Sequence, residues 1–272
     1  MTRRHSIGAI PVIVASAQDI LEKTPPKADA RIPYGTDPFQ FGDLRLPGGR
    51  GPHPVAIIIH GGYWRAAYDL EHTGHLCEAL RKKGVATWSI EYRRIGNPGG
   101  AWPGTLDDAK AAAKFVSELA KKYPLDLHRV IAMGHSAGGQ LALYLGAELS
   151  WLMGVISLAG VADLRRALEL KLSREVVKDF LGGTPEEVPD RYKAASPIER
   201  LPLKMPTVLI HGDRDTIVPL EIAGRYFAAA KKAGGKVKLE VLPTTGHFDL
   251  IDPAKTQWAA VERNVLEMLR IS

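Results

Sequence analysis

The sequence predicts an α/β fold: a mostly parallel central sheet with helices on both faces. Three observations carry the prediction. From residue 40 onward, short apolar runs alternate with segments of helical periodicity, and strands alternating with helices build βαβ units around a parallel sheet. Some of the runs are apolar at every position, as strands covered on both faces must be. The residues that follow them are rich in glycine, histidine and aspartate. In such sheets ligands sit outside the carboxyl ends of the strands, so these loops are where chemistry is expected.

Residues 18–38 hold several prolines and polar residues and read as a lead-in arm, giving an arm over 1–38 and one domain over 39–272. Residues 41–46 alternate apolar and polar, as an edge or hairpin strand does. Val55-Ala56-Ile57-Ile58-Ile59 is the first strand expected to be buried on both faces, and 85–90 the second. Thr105 opens a helix, capping it with Asp108 three residues on. Residues 129–133 form a third core strand, followed by a helix over 137–148. Strands at 154–158 and 206–210, a helix at 220–233 and a strand at 238–242 follow. The last helix, 254–270, places Ala259, Val261, Val265, Met268 and Leu269 at near-helical spacing.

The stretch 161–202 separates two core strands. Leu164, Leu168, Leu172, Val176 and Phe180 fall every fourth residue, one row along a helix, and Thr184-Pro185-Glu186-Glu187 looks like a further capped helix start. A small helical cap over the strand ends is expected here, with an ordinary connecting helix packed on the core as the alternative.

Length and composition narrow the function classes. With 272 residues, 45% of them hydrophobic and 24% charged, the chain can bury a large core without disulfides or metals. The net charge of +6 comes from scattered Lys and Arg with no basic run, which argues for a solvated surface and against a nucleic-acid partner. Cys77 is the sole cysteine, so no intramolecular disulfide can form, and it reads as a small buried residue. No stretch approaches the roughly 20 apolar residues of a spanning helix. Arg3-Arg4, the apolar run 7–14 and Ala15-Ser16-Ala17 outline a short signal peptide interrupted by Pro11. The cytoplasm is the expected location, secretion the alternative.

Four loops carry chemistry. Gly134-His135-Ser136-Ala137-Gly138 lies between an apolar strand and a helix. In that context G-x-S-x-G is a sharp turn that exposes a serine hydroxyl, and its glycines avoid collisions two positions either side of the serine. Serine is a weak nucleophile and needs a base beside it. His60-Gly61-Gly62-Tyr63-Trp64 follows the first core strand. An acyl-transfer site needs N–H donors where an oxyanion forms, and Gly62, Tyr63 and Ala137 are the expected donors. His60 is expected to brace that loop. His211-Gly212-Asp213-Arg214-Asp215 offers two carboxylates that could orient a histidine, and Gly246-His247-Phe248 offers the histidine. The order Ser…Asp…His, on loops after the appropriate elements, is far more specific than any single motif. His72 and His75 stand three apart with no acidic third ligand and read as a helix surface or a helix N-terminal region. Glu91-Tyr92-Arg93-Arg94 ends a strand and reads as loop structure, with a pocket wall as the alternative.

Over roughly residues 40–270 these motifs resemble the esterase and arylformamidase branch of the α/β-hydrolase superfamily. The resemblance implies an α/β-hydrolase fold and a triad of Ser136, Asp215 and His247, leaving Asp213 as a turn residue. It implies oxyanion donors from the glycine-rich loop. The H-G-G-x-W form of that loop is the one kynurenine formamidases carry, whereas many esterases have a third glycine where Tyr63 stands. Trp64 and His135 are the residues expected to wall the substrate pocket. The activity implied is a carboxylesterase acting on short to medium acyl chains, with no metal or organic cofactor. Its partner would be a small ester or acyl-amide, and an oligomer is compatible. Arylformamidase activity is the first alternative. A prolyl-oligopeptidase-like peptidase usually adds a propeller domain for which the chain has no room, and an intact Ser, Asp and His set argues against a non-catalytic binding protein.

Overall fold

The computed structural model describes residues 19–271, so the signal-peptide outline over 3–17 lies outside the described residues. The chain runs β1 (Ala30–Pro33), β2 (Phe41–Arg45), β3 (His53–Ile59), α1 (Gly74–Lys82), β4 (Ala86–Ile90), α2 (Gly104–Lys114), α3 (Val116–Leu119), β5 (Leu125–His135), α4 (Ala137–Glu148), β6 (Gly154–Leu158), α5 (Leu164–Glu169), α6 (Val176–Leu181), α7 (Pro189–Ala195), β7 (Thr207–Gly212), α8 (Leu220–Lys232), β8 (Val237–Leu242) and α9 (Trp258–Leu269). Short 3₁₀ turns stand at Asp19–Leu21, Leu70–Thr73, Pro197–Arg200 and Phe248–Ile251.

The eight strands form one sheet in the order β1-β2-β4-β3-β5-β6-β7-β8. β1 and β2 pair antiparallel, β2 runs antiparallel to β4, and every later pairing is parallel. Side chains alternate across a strand, which explains the continuous apolar runs. On β3, Val55, Ile57 and Ile59 join one core layer with residues of α2 and α4. Ala56 and Ile58 join the other, with Leu76, Cys77 and Leu80 of α1 and Val261, Val265 and Leu269 of α9. Helix α4 is buried at ten positions, Ala137 to Gly146, because it lies behind the Gly134–Gly138 turn and within the layer. A helix apolar on all sides is one that belongs inside.

Four readings of the sequence change. The arm does not end at residue 38: Ala30 to Pro33 pair with β2 as an edge strand. Four residues with two polar neighbours give too short a pattern to distinguish from a loop. Thr105 does not cap its helix, since α2 starts at Gly104 with Pro103 at the cap, and the Thr105 hydroxyl donates to the Arg93 carbonyl. Asp108 instead accepts Arg93 at 2.7 Å and Gln40 at 2.7 Å, tying the helix to two loops. The apolar row from Leu164 to Phe180 is split between α5 and α6, because Lys171, Ser173, Arg174 and Glu175 all take positive φ, which an α-helix cannot contain. At Thr184 the reciprocal bonds with Glu187 form, but around a turn, and α7 begins only at Pro189.

The stretch 161–202 also packs inward. Leu164, Val176, Phe180, Tyr192 and Ala195 are buried in the same layer as the sheet. None of the residues 161–202 lines the cleft described below.

Candidate active site

The sharpest local feature is at Ser136, between β5 and α4. Its backbone stands at φ +57°, ψ −120°, a strained conformation for a residue with a side chain. Its N–H donates to the Leu158 carbonyl of β6 at 2.8 Å, and its carbonyl accepts from Gly139 at 2.9 Å. The turn is possible only because its flanks lack side chains. A β-carbon on Gly134 would come within 2.0 Å of the Gly138 oxygen, and one on Gly138 within 2.1 Å of the Ile59 oxygen. Sheet, turn and helix therefore close on one another with no room for a methyl group.

The loop after β3 presses against this turn: a β-carbon on Gly61 would lie 2.9 Å from Ser136 Cβ. Gly62, Tyr63 and Trp64 follow with φ of +109°, +51° and +56°. Neither Gly62 nor Tyr63 N–H has a hydrogen-bond acceptor among the described residues. Ala137 opens α4, where the first N–H groups lack intrahelical acceptors. Three donors thus stand near one serine, as stabilising an oxyanion requires.

A buried network holds that loop. His60 Nε2 meets Glu91 Oε1 at 2.9 Å with both side chains almost fully buried, and the His60 ring stacks on Tyr92 at 4.4 Å. Tyr92 donates its hydroxyl to the His60 carbonyl at 2.9 Å. Burial raises the Glu91 carboxyl, but His60 and Arg94 outweigh it and hold the group below the ordinary carboxylate range. Glu91 also accepts the Leu70 N–H, so one carboxylate fixes two loops. The segment 91–94 is structural, as the sequence suggested.

Asp215 lies on the loop after β7. Its Oδ1 accepts the N–H groups of Ile217 and Val218, both at 2.9 Å. Its Oδ2 accepts His247 Nδ1 at 2.6 Å and lies 3.4 Å from His211 Nε2. Burial raises this carboxyl, but hydrogen bonds from His211 and His247 outweigh it and hold it well below the usual range. Asp213 instead accepts the Thr245 N–H at 3.3 Å, a turn contact. With Nδ1–H given to Asp215, His247 keeps Nε2 as a base.

His247 and Ser136 line one cleft of about 140 Å³, together with Leu21, Gly62, Tyr63, Tyr68, His72, His135, Ile217 and Phe248. His135 Nε2–H donates to the His247 carbonyl at 3.0 Å, so it braces the base as well as walling the cleft. A larger hollow of about 370 Å³ beside Pro25, Arg31 and Arg45 contains none of these groups.

Two expected positions are corrected. Trp64 does not wall the cleft: it is fully buried, stacked on Phe180 at 4.3 Å, and its indole N–H donates to Gln140 at 3.0 Å. Its ring lies in the layer beneath the loop, whereas Tyr63, with nearly the same φ, faces the cleft. His72 stands directly before α1, as a helix N-terminal residue does, but not on a surface: it is buried in a 3₁₀ turn facing the cleft, and burial, with His60 and His247 nearby, pushes its imidazole down to about 3. His75 is exposed. Among the described residues, no group of three or more His, Cys, Asp or Glu side chains could share a metal ion. Cys77 is buried, and burial pushes its thiol up to about 11.

Sequence reasoning assigned no role to His211, Leu21, Tyr68 or Ile217. His211 could have been found, since a histidine at a strand end four residues before the acid can reach the same carboxylate. Leu21 could not, because nothing local reveals that the arm returns to the cleft.

The BD-FAE family profile matches residues 43–228. Esterase LipC of Mycobacterium tuberculosis is 30% identical over 86% of this chain and 66% of its own length. Kynurenine formamidase of Danio rerio is 24% identical over 88% of this chain and 80% of its own. Among solved structures, an inhibited esterase B from Lactobacillus rhamnosis superposes with a TM-score of 0.80 at 19% identity, covering 93% of this chain and 91% of that one. That likeness is one of fold. The chain spans between about half and two thirds of the length of the first curated relatives it matches, 66%, 52% and 58%. No helix among the described residues is long and apolar enough to cross a membrane.

Proposed function

Because this chain belongs to the BD-FAE family of α/β-hydrolase esterases, we propose that it is a carboxylesterase acting on esters of short acyl chains. One observation carries the reading: His247 Nδ1 is fixed on Asp215 Oδ2 at 2.6 Å while its ring shares a cleft wall with Ser136. The small cleft supports short acyl groups, since sites for drug-sized ligands run to about 300 Å³ or more.

In this mechanism Ser136 Oγ attacks the ester carbonyl as His247 Nε2 takes its proton. Asp215 orients His247 and stabilises the imidazolium, and His211 holds the acid's loop by donating Nε2–H to the Val218 carbonyl at 2.8 Å. The tetrahedral oxyanion rests on the N–H groups of Gly62, Tyr63 and Ala137. His247 returns the proton to the departing alcohol, leaving an acyl group on Ser136. A water molecule, deprotonated by His247, then releases the acid and restores the serine.

A second reading, hydrolysis of an N-formyl aromatic amine, draws support from the loop His60-Gly61-Gly62-Tyr63-Trp64 and from the fish kynurenine formamidase. It uses the same groups. With Trp64 buried, an aryl ring would have to meet Tyr63, Tyr68 or Phe248. The discriminating experiment compares kcat/KM on p-nitrophenyl acetate and on N-formylkynurenine. A strong ester preference supports the first reading, and a strong formamide preference replaces it with the second.

A further inference from the structure

The side chain of Tyr63 makes a connection that its backbone role does not require. Its hydroxyl donates to the Ile217 carbonyl at 2.8 Å, crossing from the loop after β3 to the loop that carries the acid. The Val218 N–H, on the same peptide unit as that carbonyl, in turn donates to Asp215 Oδ1 at 2.9 Å, and Asp215 Oδ2 accepts His247 at 2.6 Å. One run of hydrogen bonds and a single peptide unit thus joins the loop bearing two oxyanion donors to the base. Tyr63 and Ile217 both line the cleft around Ser136, so the bond between them is also a piece of its wall. Tyr63 keeps φ at +51° beside a glycine at +109°, a backbone that needs outside support to hold one geometry.

We infer that the Tyr63 phenol is a latch between the two loops, a positioning residue that sets how long an acyl group the cleft admits. The inference rests on the ester-hydrolase reading and names its specificity determinant. While the Tyr63 hydroxyl holds Ile217, the ring stands as a fixed partition and the donor at Tyr63 N–H stays in register with the base. Without the hydroxyl, the ring can swing aside, so longer chains enter and the oxyanion donor loses definition.

Tyr63→Phe tests this, because it keeps the ring and deletes only the latch. The experiment measures kcat and KM on p-nitrophenyl acetate and octanoate for both proteins, with Tm as a check on folding. In parallel, Ser136 labelling rates are followed by mass spectrometry with a methyl and an octyl p-nitrophenyl phosphonate. The expected result is an acetate-to-octanoate ratio of kcat/KM that falls about tenfold in the variant. The change should appear as a lower KM for octanoate and a lower kcat for acetate, at nearly unchanged Tm. The labelling ratio should shift the same way. An unchanged ratio in a folded variant overturns the latch. A wild-type protein that hydrolyses neither ester faults the ester reading instead, and the labelling ratio then judges the latch by itself.

Discussion

His211 and His247 approach the same oxygen of Asp215, at 3.4 Å and 2.6 Å. Two backbone N–H groups hold the other oxygen, so the carboxylate has no freedom to rotate. This carboxylate therefore orients His247, and its replacement should be felt in the chemistry more than in the fold.

Asp215→Asn is expected to lower kcat about 10⁴-fold, as losing the orienting charge of a triad does. Asp213→Asn should cost far less, because Asp213 only accepts the Thr245 N–H. Steady-state kinetics on the two variants, compared at matched thermal stability, checks this. Greater damage from Asp213→Asn would reverse the assignment of the acid.

Glu91→Gln keeps the shape of the side chain but removes its charge from between His60 and Arg94. Breaking a buried ion pair on one side costs roughly 3 kcal/mol or more. The variant should unfold at lower denaturant and show a lower kcat, because the oxyanion loop loses its brace. Unfolding curves and kinetics on one preparation would show whether both fall.

Acid should destabilise the fold through His72 first. His72 is held near 3, below the roughly 6.5 of an unfolded chain. Its contribution is therefore complete above about pH 6.5 and is lost as pH falls toward 3, because the unfolded state binds the proton first. Asp215 acts in the same direction at lower pH, from the ordinary carboxylate range of about 4 downward. Tm should decline as pH drops below about 6.5, and His72→Gln should flatten the upper part of that decline. A His72→Gln curve parallel to wild type between pH 6.5 and 4 would exclude His72 as a source.

Two glycine substitutions should move stability in opposite directions. Gly138→Ala drives a β-carbon to 2.1 Å from the Ile59 oxygen and should cost about 3 kcal/mol or more. Gly224→Ala, within α8 with nothing near its added methyl, should gain up to about 1 kcal/mol. Chemical denaturation of both variants tests the pair.

Much of this was legible in the sequence, for identifiable reasons. The runs at 55–59 and, after Arg129, at 130–133 announced doubly covered strands because no polar residue interrupts them, and Ala137–Glu148 emerged as the helix expected. Gly134 and Gly138 revealed the tight turn through the residues it forbids. What stayed hidden depends on tertiary direction. Trp64 sits in the right loop, but its ring enters the core while that of its neighbour Tyr63 faces the cleft, and no pattern encodes that. The break between α5 and α6 was invisible because the apolar row continues across it, with the two helices each burying part of the row. Leu21 and β1 belong to an arm whose return to the sheet is a long-range event.

Attack by Ser136 on an ester carbonyl leaves an acyl group on its Oγ. The direct measurement is hydrolysis of p-nitrophenyl acetate by wild type and by Ser136→Ala, with mass spectrometry of the rapidly quenched wild-type protein. If Ser136 is the nucleophile, the wild type carries one acetyl group on Ser136 and the variant loses up to about 10⁶-fold in kcat with the fold intact. Hydrolysis at near wild-type rate by Ser136→Ala would contradict it.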